Sequence, residues 1–462
     1  MKLHRALVVI GCLTQLGLVA GAPAVAAPVV RIFPMTHIRP LAAEAPPTTA
    51  ECRARYHLSC YQPFQLERAY DLLPLYREGY DGSGRTIVIV DPFGSPTVRH
   101  DLGVFDRAFH LPAPPSLQII QPVGRVPRSP DHPGWAGETE LDVEWSHAIA
   151  PGANILLVET PKNEDEGATG FADIVKAETY VIDHGLGDVI SQSFGATENT
   201  FPGARSLLAL RSAYLDAYRH DVTVLAATSD AGATDYDGHG YDLYTYPVVD
   251  WPGSDPLVTG MGGTLLHLNG AGKRTSPDTV WNDTYNKAVQ RFFDGSPAPT
   301  ATAGGGGLSI FFRRPSFQSA EQSVVGHHRG VPDIAMSAAC AGMVDMYQSF
   351  PRQRPGWSLA CGTSEASPEF AGIVAIADQF AGQRLGLVNP ALYALSAEGA
   401  PGIVDVTKGN NTVSFKQHGR WHRVVGFDAG PGYDLASGVG TVDAALLVPE
   451  LAAAGPGRLS SG

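Results

Sequence analysis

The sequence is short of basic charge, of cysteine and of long apolar segments. Its 462 residues include 33 Lys and Arg against 46 Asp and Glu, which leaves a net charge of −13. A protein that binds nucleic acid needs a basic face for the phosphates, and we find none, so the sequence argues against a nucleic-acid partner. Beyond the N-terminus, no segment is apolar for long enough to span a membrane.

The single long apolar segment has the pattern of a secretory signal. Residues 1–5 carry basic charge, residues 6–20 are apolar, and residues 24–26 are the small residues typical of a cleavage site. We therefore predict a signal peptide over residues 1–26 and a secreted protein without a stable membrane anchor. Lipid modification of Cys12 is the alternative, but the apolar core before this cysteine would be too short.

Only five cysteines are present, and four remain once Cys12 leaves with the signal. An exported chain allows disulfide bonds, and four cysteines allow three connectivities. Proximity along the chain is the only guide, and it favours Cys52–Cys60 and Cys340–Cys361. The second bond would brace the chain three residues before Ser364.

No histidine stands in the His-Gly-Thr setting of a subtilisin-type base, yet the chain contains a candidate nucleophile. Ser364 follows Gly-Thr and precedes the apolar segment 373–380. With Pro368 in the first turn of a helix, Ser364 would lie at the helix N-terminus, where unpaired N–H groups can stabilise an oxyanion. A helix-capping serine is the alternative.

Carboxylates could replace the missing histidine as base. Glu138 and Asp142 lie four residues apart on a predicted helix, where two carboxyls can share a proton and act in acid. Glu140 and Glu144 have the same spacing, so spacing does not choose between the pairs, and a solvated acidic face is the alternative to both. Asp230 follows a buried strand, where α/β sheets build their sites, although it could simply cap a turn.

Three motifs in this order resemble those of the sedolisins, or serine-carboxyl peptidases: Gly-Glu-x-x-Leu-Asp, Ser-Asp-x-Gly and Gly-Thr-Ser-x-x-Ser-Pro. Similar stretches extend over roughly residues 80–445. The resemblance selects the first carboxyl pair over the second and implies a catalytic set. In this set Ser364 is the nucleophile, Glu138 the general base, Asp142 its partner and Asp230 the oxyanion-hole acid.

Carboxylates and glycine-rich turns near the C-terminus suggest a cation site. Calcium takes six to eight oxygen ligands, and glycine permits the tight curvature around it, although ordinary turns are the alternative. The resemblance to sedolisins implies one structural Ca²⁺ ion that would not take part in catalysis. Its ligands would come from Asp405, Val406, Gly430, Gly432 and Asp434.

Strands and helices alternate from residue 86 onward, which predicts an α/β fold with a doubly wound, mostly parallel sheet and helices on both faces. The resemblance makes this fold subtilisin-like and places residues 191–195 in a wall of the substrate cleft. Asp91 follows the first predicted strand, but without a histidine partner we assign it a structural or site-edge role. The predicted strands are 86–90, 154–158, 188–193 and 222–228, and the predicted helices are 138–150, 171–184 and 204–220.

We divide the chain into the signal, a leader with a cysteine loop (27–78), a peptidase domain (79–449) and a flexible tail (450–462). The leader is rich in Pro and Ala, so we expect loose order up to about residue 65 and then a short helix over 66–76. Sedolisins usually carry a long prosegment. We expect no room for one here, and we expect the leader to act as a packing arm.

These observations predict a monomeric secreted peptidase that acts on proteins or peptides in acid, most simply as an endopeptidase. The acid preference follows because Asp230 must be protonated to donate a hydrogen bond. A histidine-dependent subtilisin-like peptidase and a noncatalytic exported binding protein are the alternatives. A glycosidase also uses paired carboxylates, but two on one helical turn do not flank a sugar from opposite faces.

Overall fold

The computed structural model describes residues 33–41, 43–127, 133–162, 168–238, 242–350 and 355–459. The predicted signal peptide lies outside these ranges. Within them, no helix combines the length and apolar character that a membrane span requires.

Thirteen α-helices form within the described residues. They are α1 (Thr49–Tyr56), α2 (Pro63–Ala69), α3 (Leu73–Arg77), α4 (Val98–Phe109), α5 (Pro133–Ile149), α6 (Ala168–Asp183), α7 (Ala204–Leu208), α8 (Ser212–Arg219), α9 (Lys287–Asp294), α10 (Gln322–Val325), α11 (Thr363–Ala381), α12 (Asn389–Glu398) and α13 (Ala444–Ala454).

Twenty-one β-strands form within the same residues. They are β1 (Phe33–Pro34), β2 (His37–Pro40), β3 (Ser59–Tyr61), β4 (Thr86–Pro92), β5 (Leu117–Ile120), β6 (Asn154–Thr160), β7 (Val189–Gln192), β8 (Phe194–Thr197), β9 (Thr223–Ala227), β10 (Asp250–Trp251), β11 (Thr259–Leu265), β12 (Thr279–Val280), β13 (Gly307–Arg313), β14 (His328–Val331), β15 (Ile334–Ser337), β16 (Gly342–Gln348), β17 (Gly356–Cys361), β18 (Ile403–Val404), β19 (Val413–Gln417), β20 (Arg420–Val424) and β21 (Thr441–Val442).

An eight-stranded sheet forms the centre of the molecule, in the order β12-β11-β9-β7-β4-β6-β5, with β15 also paired to β11. Every pairing in it is parallel except β11 with β12. One apolar core lies between this sheet and α5, α11 and α13, and a second lies between the sheet and α6 and α8. The central strands are buried throughout because helices cover both faces. The predicted α/β fold class is confirmed.

Most predicted elements have the correct type. The four predicted strands correspond to β4, β6, β7 and β9, and two of the predicted helices to α5 and α6. The helix predicted over 204–220 is wrong as a single element, since α7 and α8 are separate helices. The predicted tail boundary after residue 449 falls inside α13, which continues to Ala454.

The described part of the leader, residues 33–41 and 43–78, is more ordered than predicted. It contains β1, β2, α1 and β3 before residue 65, and the helix predicted over 66–76 is divided between α2 and α3. Helix α1 begins with a capping box, in which the Thr48 and Glu51 side chains each accept from the other's backbone N–H. Both predicted disulfides, Cys52–Cys60 and Cys340–Cys361, are present.

Candidate active site

Ser364 lies in the first turn of α11, directly after β17. Gly362 joins these two elements with a φ of 135°, which side chains rarely adopt, and a Cβ at this position would collide with the Asp230 carboxyl. The Ser364 side chain is buried, and its hydroxyl donates to the Ser193 carbonyl at 3.2 Å. The structure therefore places Ser364 at a helix N-terminus, as predicted.

Pro368 lies in the second turn of α11 and not in the first, because the helix already begins at Thr363. Proline has no N–H, so the Ser364 carbonyl four residues earlier receives no helical hydrogen bond from it. The Ser193 hydroxyl lies 3.4 Å from that carbonyl and 2.8 Å from Asp142 Oδ1, so its single proton is directed mainly at Asp142 and only weakly at the carbonyl. The proline thus leaves an acceptor through which α11 contacts the loop between β7 and β8.

Glu138 and Asp142 lie on α5 and are both buried; Glu138 lies next to the Ser364 hydroxyl, and Asp142 lies close to Glu138. Burial, followed by repulsion from Asp91, raises the pKa of Glu138 well above its usual range, while the nearby Ser364 hydroxyl lowers it. Among the described residues, neither Glu138 oxygen has a hydrogen bond of ordinary geometry, since the Ser364 hydroxyl points to a carbonyl. A change of the Ser364 χ1 rotamer would redirect it, and catalytic hydrogen bonds often tighten only with substrate bound.

Asp142 is held by Ser193 and repelled by its neighbours. Its Oδ1 accepts from the Ser193 hydroxyl at 2.8 Å. Burial, then repulsion from Asp91 and Glu138, raises the pKa of Asp142 well above its usual range. The carboxyl group can therefore hold a proton in acid and moderate the charge of Glu138.

Asp91, for which the sequence predicted a structural or site-edge role, lies close to Glu138 and Asp142. It lies near the end of β4, is fully buried, and has its pKa raised to about 7 by burial and by repulsion from Glu159. Its charge acts on both Glu138 and Asp142, so three carboxyls share this part of the site. In the sequence, the position of Asp91 after the first predicted strand was the only indication of a role, and it did not predict that Asp91 lies close to Glu138 and Asp142.

Glu140 and Glu144 lie on another side of α5, away from Ser364. Glu140 accepts from the Ser95 hydroxyl at 2.5 Å, and Glu144 accepts from the Tyr347 N–H at 3.0 Å. The two pairs project in different directions because they are offset by two residues, which is a rotation of about 200° around the helix axis. Only the pair selected by the family resemblance lies next to the nucleophile.

Asp230 follows β9 and lies against the first residues of α11. Its Oδ1 accepts from the Thr363 N–H at 2.7 Å and from the Thr363 hydroxyl at 3.0 Å. Burial raises the pKa of Asp230 well above its usual range, although the two Thr363 hydrogen bonds lower it. Among the described residues its Oδ2 has no hydrogen-bond partner. A protonated Asp230 could direct this oxygen, as an O–H donor, at an oxyanion beside Ser364.

Residues of the leader also reach the site, which the sequence did not indicate. Met35 O accepts from the Ser364 N–H at 3.1 Å, and His37 Nε2 lies 3.8 Å from Asp230 Oδ2. These contacts join residues nearly 200 to more than 300 positions apart, so no local pattern could reveal them. Among the described residues, no histidine ring forms a hydrogen bond with the Ser364 hydroxyl.

The structure also brings the predicted calcium ligands together. Asp405 Oδ2 accepts from the Gly432 N–H at 2.9 Å, and Asp434 Oδ2 accepts from the Gly430 N–H at 3.0 Å. Within the described residues, no hydrogen bond occupies the Gly430 and Gly432 carbonyls. No group of three His, Cys, Asp or Glu side chains suited to a metal was found there. The residues nevertheless fit Ca²⁺, because carboxylates combined with backbone carbonyls are the oxygen ligands it prefers.

Several curated relatives and solved structures are similar to the chain. Kumamolisin of Bacillus sp. (strain MN-32) is 32% identical over 396 residues, which are 83% of this chain and 62% of the relative. Sedolisin of Pseudomonas sp. (strain 101) is 29% identical over 363 residues, which are 78% of this chain and 57% of the relative. The structure of Pseudomonas sedolisin, a serine-carboxyl proteinase complexed with pseudo-iodotyrostatin, aligns with this chain with a TM-score of 0.70 and 26% sequence identity. The alignment covers 86% of this chain and 99% of the sedolisin chain.

The fold and the site together define a subtilisin-like α/β protein with a serine surrounded by carboxylic acids. The chain belongs to the sedolisin family of serine-carboxyl peptidases. It spans about three-fifths of the length of these curated relatives. No family model matches it.

Proposed function

We propose that the protein is a secreted serine-carboxyl peptidase that hydrolyses peptide bonds in acid. Its substrates are proteins or peptides, and it acts as a monomeric endopeptidase without a membrane anchor. The observation that carries this proposal is the convergence on Ser364 of the buried carboxyls of Glu138, Asp142 and Asp230. No isolated serine cap would explain so many buried carboxyls around one hydroxyl.

Catalysis begins when the Ser364 hydroxyl attacks a substrate carbonyl and transfers its proton to Glu138. Asp142 shares a proton with Glu138 and moderates its charge, while Ser193 holds Asp142 in place. The Ser364 N–H and the protonated Asp230 donate to the oxyanion. Glu138 then returns the proton to the leaving amine, and water hydrolyses the ester on Ser364 by the same steps in reverse.

The pH dependence follows from the different protonation states that these groups require. Glu138 must be ionised to act as a base, which sets the acidic limb, whereas Asp230 must be protonated to donate, which sets the alkaline limb. Burial raises the pKa of both groups, so each acts in a less acidic range than an exposed carboxyl would. Activity should be lost as Asp230 ionises, and a maximum above about pH 8 would contradict the assignment.

Calcium would have a structural role in this protein. Asp405, Asp434 and the carbonyls of Val406, Gly430 and Gly432 would hold it. Bound there, the ion would neutralise the two carboxylates and join the loops that contain them. We assign it no part in the reaction, since Ser364 has its own acid groups.

Digestion of a denatured protein at several pH values, with the cuts mapped by mass spectrometry, tests the proposal. Ser364→Ala should reduce cleavage by at least about 10⁴-fold, and Glu138→Gln by about 10²–10⁴-fold because the base is lost. Glu140→Gln is the matched control, since this glutamate is buried on the same helix but lies away from the serine.

The same measurement separates the alternatives. Cleavage that survives Glu138→Gln would favour a histidine-dependent peptidase, and cleavage unaffected by Ser364→Ala would favour a noncatalytic protein contaminated by another enzyme. Equal losses in Glu138→Gln and Glu140→Gln would show a general effect on the fold.

A further inference from the structure

A basic cavity lies where β2 and α1 of the leader meet α9. It has a volume of about 440 Å³, which is within the range of small-molecule sites. Four of the side chains that line it are basic, namely Arg39, Arg55, His57 and Arg291. No aspartate or glutamate is among the described residues of its lining. The cavity is therefore positively charged, although the whole chain has a net charge of −13.

The three arginines of this cavity have no acidic partners. Arginines elsewhere are paired with carboxylates, as Arg211 is with Asp255. In the part of the chain that the structure describes, neither a salt bridge nor a hydrogen bond engages the guanidinium groups of Arg39, Arg55 and Arg291. Like charges around one cavity repel one another, and an anion bound between them would replace this repulsion with attraction.

Aromatic rings orient two of the guanidinium groups. The Arg39 Cζ lies 5.8 Å from the centroid of the Phe292 ring, and the Arg55 Cζ lies 5.2 Å from that of the Tyr56 ring. The two rings contact each other edge to face, with centroids 4.8 Å apart. A guanidinium group over a ring keeps its N–H donors free for a ligand. Such preorganisation lowers the entropy that is lost on binding.

The three arginines project from regular elements that are themselves held in place. Strand β2 pairs with β17, where Arg39 lies opposite Leu359. The Cys52–Cys60 disulfide joins α1 to β3, and the Asn286 side chain caps the N-terminus of α9. Sites built on strands and helices are more precise than sites built on loops, so these side chains form a defined site.

Two adjacent phenylalanines of α9 separate this cavity from the active site. Phe292 borders the cavity and contacts Phe293 edge to face, with centroids 5.1 Å apart. Phe293 in turn faces the His37 ring at 5.7 Å, and His37 lies beside Asp230. Among the described residues that line the cavity, none belongs to the proposed catalytic set. A ligand bound there would leave the reacting groups uncovered.

The chemistry of the cavity selects the kind of anion. Arginine presents a planar fork of N–H donors, which matches the oxygens of phosphate, sulfate and carboxylate groups. In the acidic range proposed for the peptidase, carboxylates lose their charge because their usual pKa values are near 4. A phosphate group keeps its first negative charge there, since only its second pKa is near 6. A phosphate or sulfate group therefore suits this cavity better than a carboxylate.

We propose that Arg39, Arg55 and Arg291 bind a small phosphate or sulfate ester at a site separate from the catalytic centre. The preference over a carboxylate rests on the acidic working range proposed above, whereas the site itself does not depend on peptidase activity. The charged group lies among the guanidinium groups, and the rest of the ester occupies the remaining volume. A ligand held there joins β2, α1 and α9, and it stabilises the folded chain because it binds only that state.

Calorimetric titration of the full-length chain measures this binding. All proteins carry Ser364→Ala, so that peptide cleavage adds no heat. Inorganic phosphate, inorganic sulfate, glycerol phosphate and acetate are titrated at about pH 5, with the ionic strength held constant. We expect one saturable site for glycerol phosphate and for phosphate or sulfate. Acetate should bind at least about tenfold more weakly, because a monovalent carboxylate that is partly protonated offers fewer charged contacts.

Substitutions of the arginines test the site. Arg55→Ala and Arg291→Ala should each weaken binding by about tenfold or more, because hydrogen bonds to a charged group are lost. Both side chains are exposed, so the fold should be kept. Arg291→Lys keeps the charge but not the fork and should recover part of the affinity. Arg423→Ala is the matched control, because it removes the same charge from an exposed position on β20 outside the cavity.

Thermal unfolding gives a second readout. Phosphate and sulfate strengthen apolar burial in any protein, so Tm should rise in every variant. The rise should be larger in the chain with all three arginines and in Arg423→Ala than in Arg291→Ala, since only the first two keep the site. An equal rise in all of them would contradict binding at the cavity.

The titrations give clear contrary results as well. Absence of saturable binding of phosphate, sulfate and glycerol phosphate would overturn the proposal. Equal losses of affinity in Arg423→Ala and Arg291→Ala would also overturn it, because binding would then reflect general surface charge. Acetate that binds as tightly as phosphate would overturn the choice of ligand and favour an acidic peptide. No titration depends on cleavage, so failure here and failure of the proposed peptidase function are distinguishable.

Discussion

At the scale of single residues, the proposed chemistry depends most on the protonation of Asp230. Its Oδ1 is occupied by two hydrogen bonds from Thr363, so only Oδ2 remains to carry a proton towards an oxyanion. Burial is the main reason that its pKa lies above the usual range. A buried carboxyl group of this kind is neutral at acidic pH, where it can donate a hydrogen bond, and it loses this ability when it ionises at higher pH.

Replacement of Asp230 separates these two properties. Asp230→Ala removes the donor and should lower kcat by about 10²–10³-fold. Asp230→Asn keeps an acceptor for Thr363 and a neutral N–H donor that does not titrate, so its loss should be smaller and the alkaline limb of the profile should move to higher pH. Profiles of kcat/KM against pH measure both effects, and an unmoved limb in Asp230→Asn would mean that another group sets it.

At the scale of elements, α11 contains a second carboxyl pair directly after the nucleophile. Glu365 and Glu369 are one helical turn apart and fully buried, and among the described residues none of their four oxygens has a hydrogen-bond partner of ordinary geometry. Burial raises the pKa of both well above 4.5, and Glu365 also repels Glu369. We find no part for them in the reaction, so their effect falls on the stability of α11.

We expect this pair to make the fold less stable as the pH rises. A carboxyl whose pKa is higher in the folded state makes its full contribution to folding stability below about pH 4.5, the ordinary pKa of glutamate. This contribution to stability is lost as the pH rises towards the pKa of the folded state. Glu365→Gln with Glu369→Gln should leave stability at pH 4 nearly unchanged and raise the free energy of unfolding at pH 7 by on the order of 1–3 kcal/mol per residue.

Chemical denaturation at the two pH values measures this difference. Glu398→Gln is the control, because Glu398 is exposed at the end of α12 and should change little at either pH. A double variant that is equally destabilised at pH 4 and pH 7 would show that the glutamates make contacts essential to packing, which would refute the linkage.

At the scale of the whole molecule, the loops predicted to bind calcium are attached to the central sheet. Val439 N donates to the Asp333 carbonyl at 2.8 Å, and Ala335 N donates to the Gly440 carbonyl at 2.8 Å. Asp333 is itself paired with the buried Arg329. An ion held by Asp405 and Asp434 would therefore stabilise the edge of the sheet that contains β15.

Removal of calcium should lower the melting temperature of the protein. Saturation at about 100 times the dissociation constant would contribute about 2.7 kcal/mol, so a chelator should lower Tm by several degrees and added Ca²⁺ should restore it. Scanning calorimetry with Ca²⁺, Mg²⁺ or chelator measures this effect. Asp405→Asn should weaken the dependence because one carboxylate is lost, and equal Tm values for the unaltered protein under all conditions would exclude the site.

The sequence by itself determined the fold class, four of the parallel strands of the central sheet and both disulfides. Buried parallel strands such as β4 and β9 are continuous apolar runs, so their signal lies within a few residues. The paired cysteines are 8 and 21 residues apart, and proximity along the chain was enough to pair them correctly. Motif order also identified Ser364 and Asp230 as candidates. The predictions for the leader and for a single helix over 204–220 were wrong because they rested on composition. In the structure, helix capping orders part of the leader, and a local break divides the helix.

Only the tertiary structure showed why the carboxyl pair selected by the family resemblance lies near the nucleophile, and which further residues surround it. Two carboxyl pairs with identical spacing lie on α5, and the packing of this helix against α11 turns one towards Ser364 and the other away. Asp91 joins the first pair, and the leader enters the cleft, through contacts between residues tens to hundreds of positions apart. Such contacts depend on how helices and strands pack against one another, and a sequence pattern contains no information on the distance between residues that are far apart in the chain.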